Sequence, residues 1–341
     1  MNINLKKQTS KDIDLLSRKD SIFVLDFRAT GEALNYEIPA MWKYENLLTH
    51  ILNNQTVVVN EDYKELDLIV ENNYLVASKT KDKPSKSVLS RIEKDKLSEF
   101  KSIINFIPHP DFDKYAKESN TEIFYKFDDF LKFNNKVDQK KQLDNLTPKW
   151  DFLDNSDDKR IKTHYVKASV GSGGYKVFSP GTFDTQVFED ASWYLEEKCD
   201  GEPMSAQILK EGFNYTVFGL TKQKVEEDRY FIGAEVISLK ENLNTDLKTF
   251  LEDVIERLSK LLDSYEGFWG IDFIETSENK YSFLEANIRL TAMTIPTLVV
   301  NERFESGTGL FMEDVEEVKD GDFVMSVDKS DNLFDTLRET N

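Results

Sequence analysis

Cysteine is nearly missing from this chain: Cys199 stands alone among 341 residues. That count excludes an intramolecular disulfide framework and a cysteine-rich zinc module. Histidine is almost as scarce. His50, His109 and His164 show no metal-ligand spacing, which argues against a zinc hydrolase or a Ser/His/Asp enzyme. Positive charge is short as well: 44 Lys and Arg face 63 Asp and Glu, a formal net charge of -19. Such a chain repels nucleic acid at long range and leaves room only for a local basic pocket. No run approaches the roughly 18 apolar residues of a membrane helix. The N-terminal MNINLKKQTSKDIDLL also lacks an apolar signal core. The expectation is a cytoplasmic protein with neither a nucleic-acid nor a membrane partner.

What is present suits a folded α/β chain, with 39% hydrophobic and 12% aromatic residues and length for roughly two domains. In the first part, short apolar runs at Ser21–Asp26, Thr56–Val59, Leu66–Val70 and Ile103–Ile107 read as buried strands. Tyr44–Leu52 has helical spacing. The alternation predicts a parallel, doubly wound N-terminal domain. Phe127–Leu146 reads as a helix that Pro148 ends. Strand-like runs at His164–Val170, Trp193–Cys199, Met204–Lys210, Asn214–Leu220 and Tyr230–Leu239 follow, which suggests an antiparallel sheet and an α+β C-terminal half. Thr245–Asp263 is an amphipathic helix, and Thr291–Val300 is a second helix after two further strands. The last stretch is acidic with little periodicity.

Phe268–Leu290, FWGIDFIETSENKYSFLEANIRL, reads as two strands around a turn at Glu278-Asn279. Symmetry about that turn sets Asp272 opposite Glu285, with Asn287 and Arg289 on the same face because strand side chains repeat every two residues. Ile271, Phe273, Leu284, Ala286 and Ile288 then form a core face. Two carboxylates about 5 Å apart destabilise a sheet unless something neutralises them. A Mg²⁺ ion does so, and Asp, Glu and Asn oxygens are its hard ligands, completed by water and substrate phosphates. The alternative is a solvated polar face with Arg289 bridging the acids.

Two further segments have polar groups suited to a nucleotide. In YVKASVGSGGYKV, Lys167 precedes Gly171-Ser172-Gly173-Gly174, whose backbone N–H groups are free to approach phosphate oxygens. A plain hairpin turn is the alternative. No Gly-Lys-Ser/Thr follows, so this is not a P-loop, and neither kinase signatures nor a Rossmann fingerprint occurs. WYLEEKCDGEPMSAQI holds Glu196, Glu197 and Lys198 at a strand end before a glycine turn, where backbone groups suit an adenine edge and a carboxylate suits ribose hydroxyls. Solvent-exposed glutamates are the alternative there.

Taken in order, these segments resemble the ATP-grasp superfamily, especially its carboxylate–amine ligases such as D-alanine–D-alanine ligase and the amino acid ligases. The resemblance runs from about Phe133 to Leu298. It rests on Asn135-Lys136, Thr147-Pro148-Lys149, Val166-Lys167-Ala168 before the glycine loop, Glu196-Glu197-Lys198-Cys199-Asp200-Gly201, and Asp272 with Glu285-Ala286-Asn287-Ile288-Arg289. Asn135 stands where the family has aspartate, and Ile288 where it often has proline. Gly270 stands where some dipeptide ligases have an arginine.

The resemblance implies a pre-ATP-grasp domain over 1–125 and an ATP-grasp domain over 126–320, followed by an acidic segment over 321–341. The ATP-grasp part divides into 126–195, with the glycine loop, and 196–320, with the metal site, two α+β subdomains that clamp ATP. Lys136, Lys167, Gly171, Ser172, Gly173, Gly174, Glu196, Glu197 and Lys198 are then ATP contacts. Asp272, Glu285 and Asn287 hold Mg²⁺ or Mn²⁺. Arg289 and Lys167 act in catalysis, and Gln223 and Arg289 meet the substrate. The implied reaction joins a carboxylate to an amine through an acyl phosphate and releases ADP and phosphate. Small acids and amines, amino acids or peptides among them, are the implied partners, and a homodimer fits the family. The competing readings are a carboxylate–thiol ligase, a carboxylase, a small-molecule kinase, an ATP-binding module without catalysis, or a protein-interaction domain driven by the acidic surface.

Overall fold

The fold is that of a computed structural model, which describes residues 2–8, 12, 20–24, 56–60, 73–77, 98–105, 108–171, 176–226, 230–237, 239–261, 265–276, 280–303, 309–312, 323–326 and 337–339. The strands among them form three sheets.

The first sheet has the order β4-β3-β2-β5-β6, built from β2 (Ser21–Val24), β3 (Thr56–Asn60), β4 (Asn73–Ala77), β5 (Ser102–Asn105) and β6 (Glu122–Ile123). Every pairing in it is parallel, as the βα alternation predicts. The expected helix at Tyr44–Leu52 and the expected strand at Leu66–Val70 lie outside the described residues. One covering helix, α1 (Pro110–Ser119), is described; the His109 ring caps it, its Nδ1 accepting from the Asp111 N–H at 3.1 Å. Burial pushes the His109 pKa down, against the pull of Asp111, so the ring stays an acceptor at neutral pH.

The second sheet has the order β7-β10-β8-β9, from β7 (Trp150–Phe152), β8 (His164–Ala168), β9 (Val177–Phe178) and β10 (Trp193–Glu197). The strand-like runs of the C-terminal half therefore divide between two sheets. The third runs β15-β14-β11-β12-β13-β16-β17-β18, with β1 (Asn2–Leu5) pairing in parallel with β12. Its strands are β11 (Glu202–Glu211), β12 (Asn214–Glu226), β13 (Tyr230–Ile237), β14 (Gly267–Thr276), β15 (Lys280–Asn287), β16 (Gly309–Met312), β17 (Phe323–Ser326) and β18 (Leu337–Glu339). The acidic end of the chain thus supplies two short strands, where its composition had predicted no periodic structure. Four and three residues are too few for a period to show.

The stretch expected as one helix, Phe127–Leu146, is broken into α2 (Phe127–Phe133), α3 (Lys136–Gln142) and a 3-10 turn at Asp144–Leu146. Asn135 causes the break: its side chain accepts from the Val137 N–H at 3.1 Å and starts a new helix. Further on come the single turn α4 (Leu239–Asn242) and α5 (Thr245–Ser259). The stripe Leu247, Leu251, Val254, Ile255 and Leu258 of α5 is buried as its spacing predicts. Each such side chain contributes roughly 1.5–3 kcal/mol relative to exposure. The expected helix at Thr291–Val300 is α6 (Thr294–Arg303).

Tyr125 joins the first sheet to the third. Asn105 bonds both backbone groups of Tyr125, and the Tyr125 hydroxyl accepts from the Phe268 N–H at 3.0 Å at the start of β14. Phe23 and Ile104 of the first sheet lie in the same core as Phe218 and Phe273 of the third. No helix among the described residues is long and apolar enough to cross a membrane.

Candidate active site

The carboxylates come together on β14 and β15. Asp272 pairs with Glu285 in register, as the hairpin symmetry predicts. The pairing reaches that register differently from the expectation: Thr276 faces Lys280, Phe273 faces Phe283, and a bulge between Phe273 and Asp272 restores the symmetric count. Leu284 is therefore the extra residue, half-buried rather than on the core face; Phe283, fully buried, fills the place expected of it. A bulge of this kind re-aims the side chains beyond it.

On its other side β14 pairs with β11, which sets Ser205 opposite Asp272 and Gln207 opposite Gly270. Asp272 is crowded with donors. The Gln223 Nε2 donates to Oδ1 at 2.9 Å and the Asn287 Nδ2 to Oδ2 at 3.2 Å, and the Ser205 hydroxyl, in register across the strands, favours the charged carboxylate. Burial first, and the charge of Glu285 second, nonetheless push the Asp272 pKa up to about 7. Glu285 differs because it has a cation beside it: Lys136 Nζ is 2.5 Å from Oε2. Burial works to raise the Glu285 pKa, but Lys136 and the Asn287 hydrogen bond outweigh it and hold it below the usual carboxylate value.

This donor set fits a hard divalent cation. Two opposed carboxylates, of which Glu285 has an ammonium against it and Asp272 only the more distant pull of Arg289, and an adjacent amide oxygen are oxygen ligands of the kind Mg²⁺ and Mn²⁺ take. Among the described residues no group of three His, Cys, Asp and Glu side chains gathers at one point. Asn287 presents its Nδ2 to both acids, 3.4 Å from Oε1 of Glu285, while its Oδ1 accepts from the Arg289 Nη2 at 3.4 Å. A ligating Asn287 has to turn its amide over.

The ammonium groups arrive from α3 and β8. Lys136 and Lys140, four apart, share one face of α3, and both are buried. Gln139 between them bonds both backbone groups of Ala286: its Oε1 accepts from the Ala286 N–H at 2.8 Å and its Nε2 donates to the carbonyl at 2.7 Å. That contact covers the free edge of β15 and ties α3 to the strand carrying Glu285 and Asn287.

Glu196 on β10 sits between Lys140 and Lys167, ion-paired to both. Burial opposes its charge, yet the two ammonium groups hold its pKa below the ordinary value. Lys140 is pushed down, chiefly by burial and by the neighbouring Lys167 and Lys136, against the pull of Glu196. Lys140 was not among the residues expected from sequence. Its signal is the Lys-x-x-x-Lys spacing, which sets Lys136 and Lys140 on one helical face.

The remaining expected residues are placed as follows. Glu196 is fully engaged by lysines, whereas Glu197 and Lys198 are exposed, with Lys149 Nζ 3.7 Å from the Glu197 carboxylate. Gly171 lies half-buried at the end of β8, and residues 172–174 lie outside the described residues. Lys136 N donates to the carbonyl of Ser169, so α3 starts against the end of β8. Arg289 sits beside Asn287 and donates its Nη1 to the Leu290 carbonyl at 3.0 Å. The position of Gly270 is explained too: a Cβ there would lie 2.5 Å from the Thr291 methyl. The space of a side chain at 270 is already taken.

A family model described as the ATP-grasp domain matches residues 133–293. Solved structures agree in fold. An ATP-grasp superfamily protein from Archaeoglobus fulgidus is 15% identical, with a TM-score of 0.52 over 84% of this chain and 85% of that one. An L-amino acid ligase from Bacillus licheniformis is 13% identical, with a TM-score of 0.52 over 82% of this chain and 70% of that one. The biotin carboxylase of Campylobacter jejuni is 14% identical, with a TM-score of 0.55 over 86% and 72%. No curated protein matches the chain by sequence.

Proposed function

We propose, from the premise that this chain carries an ATP-grasp domain, that it is an ATP-dependent carboxylate–amine ligase of the cytoplasm. The observation that supports this best is the opposed pair Asp272 and Glu285 facing Lys136, with Lys140 and Lys167 nearby on Glu196. A polyanion and a divalent cation together match that charge pattern, and neither does alone. The similar L-amino acid ligase favours an amine as the final nucleophile.

A carboxylate is a poor electrophile, being anionic and without a leaving group. In the proposed reaction a substrate carboxylate oxygen bonds to the γ-phosphorus of ATP, and the bond to ADP breaks. An amine nitrogen then bonds to the acyl carbon, phosphate leaves with the bonding pair, and the nitrogen loses a proton. Asp272, Glu285 and the Asn287 amide would hold Mg²⁺ or Mn²⁺, which when bound spreads the charge of the phosphate oxygens. Lys136, Lys140 and Lys167 bind phosphate oxygens once those displace their present carboxylate partners. Arg289 holds the anionic substrate or the transferred phosphoryl group beside Asn287. The backbone of 171–174 closes over the phosphates and keeps water from the acyl phosphate. Gln223 orients Asp272 and lines the substrate side. Glu197 and Lys198, exposed at the end of β10, meet the nucleoside.

The experiment is a phosphate-release screen of the protein with ATP, Mg²⁺ and pairs of small acids and amines, followed by mass spectrometry. Phosphate release that needs both partners, with an amide product, supports the reading. A phosphorylated product without an amide overturns amide formation in favour of a kinase, and a thioester in favour of a thiol ligase.

A further inference from the structure

The strand flanking Asp272 on the side away from Glu285 holds polar side chains that the proposed reaction does not use. Ser205 stands in register with Asp272 on the neighbouring strand, and its hydroxyl favours the charged form of that carboxylate. Gln207 follows on the same face and donates its Nε2 to Ser205 Oγ at 3.0 Å. The Gln207 Oε1 accepts from two hydroxyls, Thr291 at 2.6 Å and Thr294 at 3.1 Å. Thr294, at the start of α6, accepts in turn from the Thr291 N–H at 2.9 Å.

The chemistry of these groups orders the chain. An amide nitrogen only donates, so Ser205 Oγ must accept from Gln207, and its single O–H is left for Asp272. The Gln207 oxygen only accepts, so both threonine hydroxyls point at it. The side-chain bonds through Gln207 therefore run from the threonines towards Ser205. All four side chains are buried, with Gln207 and Thr294 fully inaccessible. An apolar set of similar volume would pack the same space without a polar network to satisfy, so packing alone does not account for these residues. The threonines also follow Arg289 within five residues, on the segment that leads from the carboxylate strand into α6.

We infer that Ser205 is a positioning residue for Asp272, braced by Gln207 and Thr291, and that this strut fixes the Asp272 carboxylate relative to the Arg289–Thr291 segment. The inference rests on the proposed function in one respect, that Asp272 takes a divalent cation. Residues in the outer shell of a metal site orient the ligand and typically change metal affinity by roughly 10- to 100-fold.

The test measures Mn²⁺ binding by titration calorimetry and electron paramagnetic resonance, on the full chain with ADP present, for wild type, Ser205→Ala, Ser205→Thr and Thr291→Val. ADP binding in EDTA is measured on the same proteins. Ser205→Ala is expected to bind Mn²⁺ roughly 10- to 100-fold more weakly with ADP binding in EDTA unchanged. Ser205→Thr restores the hydroxyl and recovers affinity. Thr291→Val keeps the shape but removes the far hydroxyl, and it weakens Mn²⁺ in the same direction by a smaller factor. Ser205→Ala within twofold of wild type, or weakened equally for ADP in EDTA, overturns the strut. If Ser205→Ala does not fold, Thr291→Val within twofold of wild type overturns it instead. Wild-type protein that binds ADP but no Mn²⁺ overturns the cation reading itself, a result distinct from failure of the strut alone.

Discussion

Lys136 Nζ lies 2.5 Å from Oε2 of Glu285, so a carboxylate suited to a divalent cation is held by one of the chain's own ammonium groups. The same is true of the other lysines, which share Glu196. Lysines and acids are therefore paired with each other here, and under the proposed function a metal–nucleotide complex would exchange those partners, phosphate for carboxylate and cation for ammonium. Exchange of this kind makes the two ligands cooperative, because each removes the competitor of the other. Lys136→Met is expected to strengthen Mn²⁺ binding without nucleotide by about tenfold, since Glu285 loses its competing charge. The same variant weakens nucleotide binding and shrinks the coupling between the two. Calorimetric titration of each ligand with and without the other measures all three effects; weaker Mn²⁺ binding in the nucleotide-free variant sinks the exchange.

The buried Glu196 supplies a prediction about acid stability. Its pKa is held below the ordinary carboxylate value by Lys140 and Lys167. A depressed carboxylate contributes stability above its unfolded pKa, and that contribution is lost as pH falls through the folded value. Wild type should thus hold its stability down to the ordinary glutamate range near 4.5 and lose it below. Glu196→Gln leaves two ammonium groups buried without a counter-charge, which costs about 3–5 kcal/mol at pH 7. Adding Lys140→Met returns part of that loss. Urea melts at pH 7 and pH 4 check both, and a double variant no more stable than Glu196→Gln counts against the shared pair.

Much of the site is legible in the sequence, for reasons that differ by residue. The opposition of Asp272 and Glu285 follows from the period of a strand and the symmetry of a hairpin. The bulge at Leu284 does not, because a shorter turn and one extra residue cancel in the count. Asn135, which departs from the family's aspartate, keeps the local role, since either side chain caps a helix. Lys140 and Gln139 are missed because a polar helical residue ordinarily faces water. Their burial depends on β15 and β10 lying against α3, a tertiary fact that the Lys-x-x-x-Lys spacing does not show by itself. Ser205 and Gln207 are hidden likewise among the alternating residues of a strand.

Gln139 and Ala286 give the second stability prediction. The carboxamide is fully buried and bonds both backbone groups of Ala286, and it also donates to the Phe133 carbonyl at 2.8 Å. Replacing it by Leu keeps the bulk and leaves the Ala286 N–H and carbonyl unpaired. Each buried unsatisfied group costs about 1–3 kcal/mol, so the two together predict a loss of roughly 2–6 kcal/mol. The local readout is sharper: the Ala286 amide exchanges hydrogen faster in Gln139→Leu than in wild type. Unchanged exchange at Ala286, with the helix elsewhere intact, argues that another group covers the edge of β15.

Gly270 and Thr291 make the last prediction, and it bears on substrate recognition. A Cβ at 270 would sit 2.5 Å from the Thr291 methyl, closer than real Cβ contacts come. The neighbour cannot swing aside freely, because the Thr291 hydroxyl is bonded to Gln207 at 2.6 Å. Gly270→Ala is therefore expected to lose about 1–3 kcal/mol through overpacking. Thr291→Ser removes the offending methyl and keeps the hydroxyl bond, so alone it costs little, and it should rescue most of the loss in the double variant. A double-mutant cycle on thermal or urea unfolding measures this coupling, and additive losses show that the two sites do not compete for the same space. If the cycle shows the coupling, an arginine at 270 has no room beside Thr291. Anion recognition then falls to Arg289, whose guanidinium already lies against Asn287. Arg289→Lys, which keeps the charge but loses the planar fork, should then raise KM for the acid substrate more than it alters nucleotide binding.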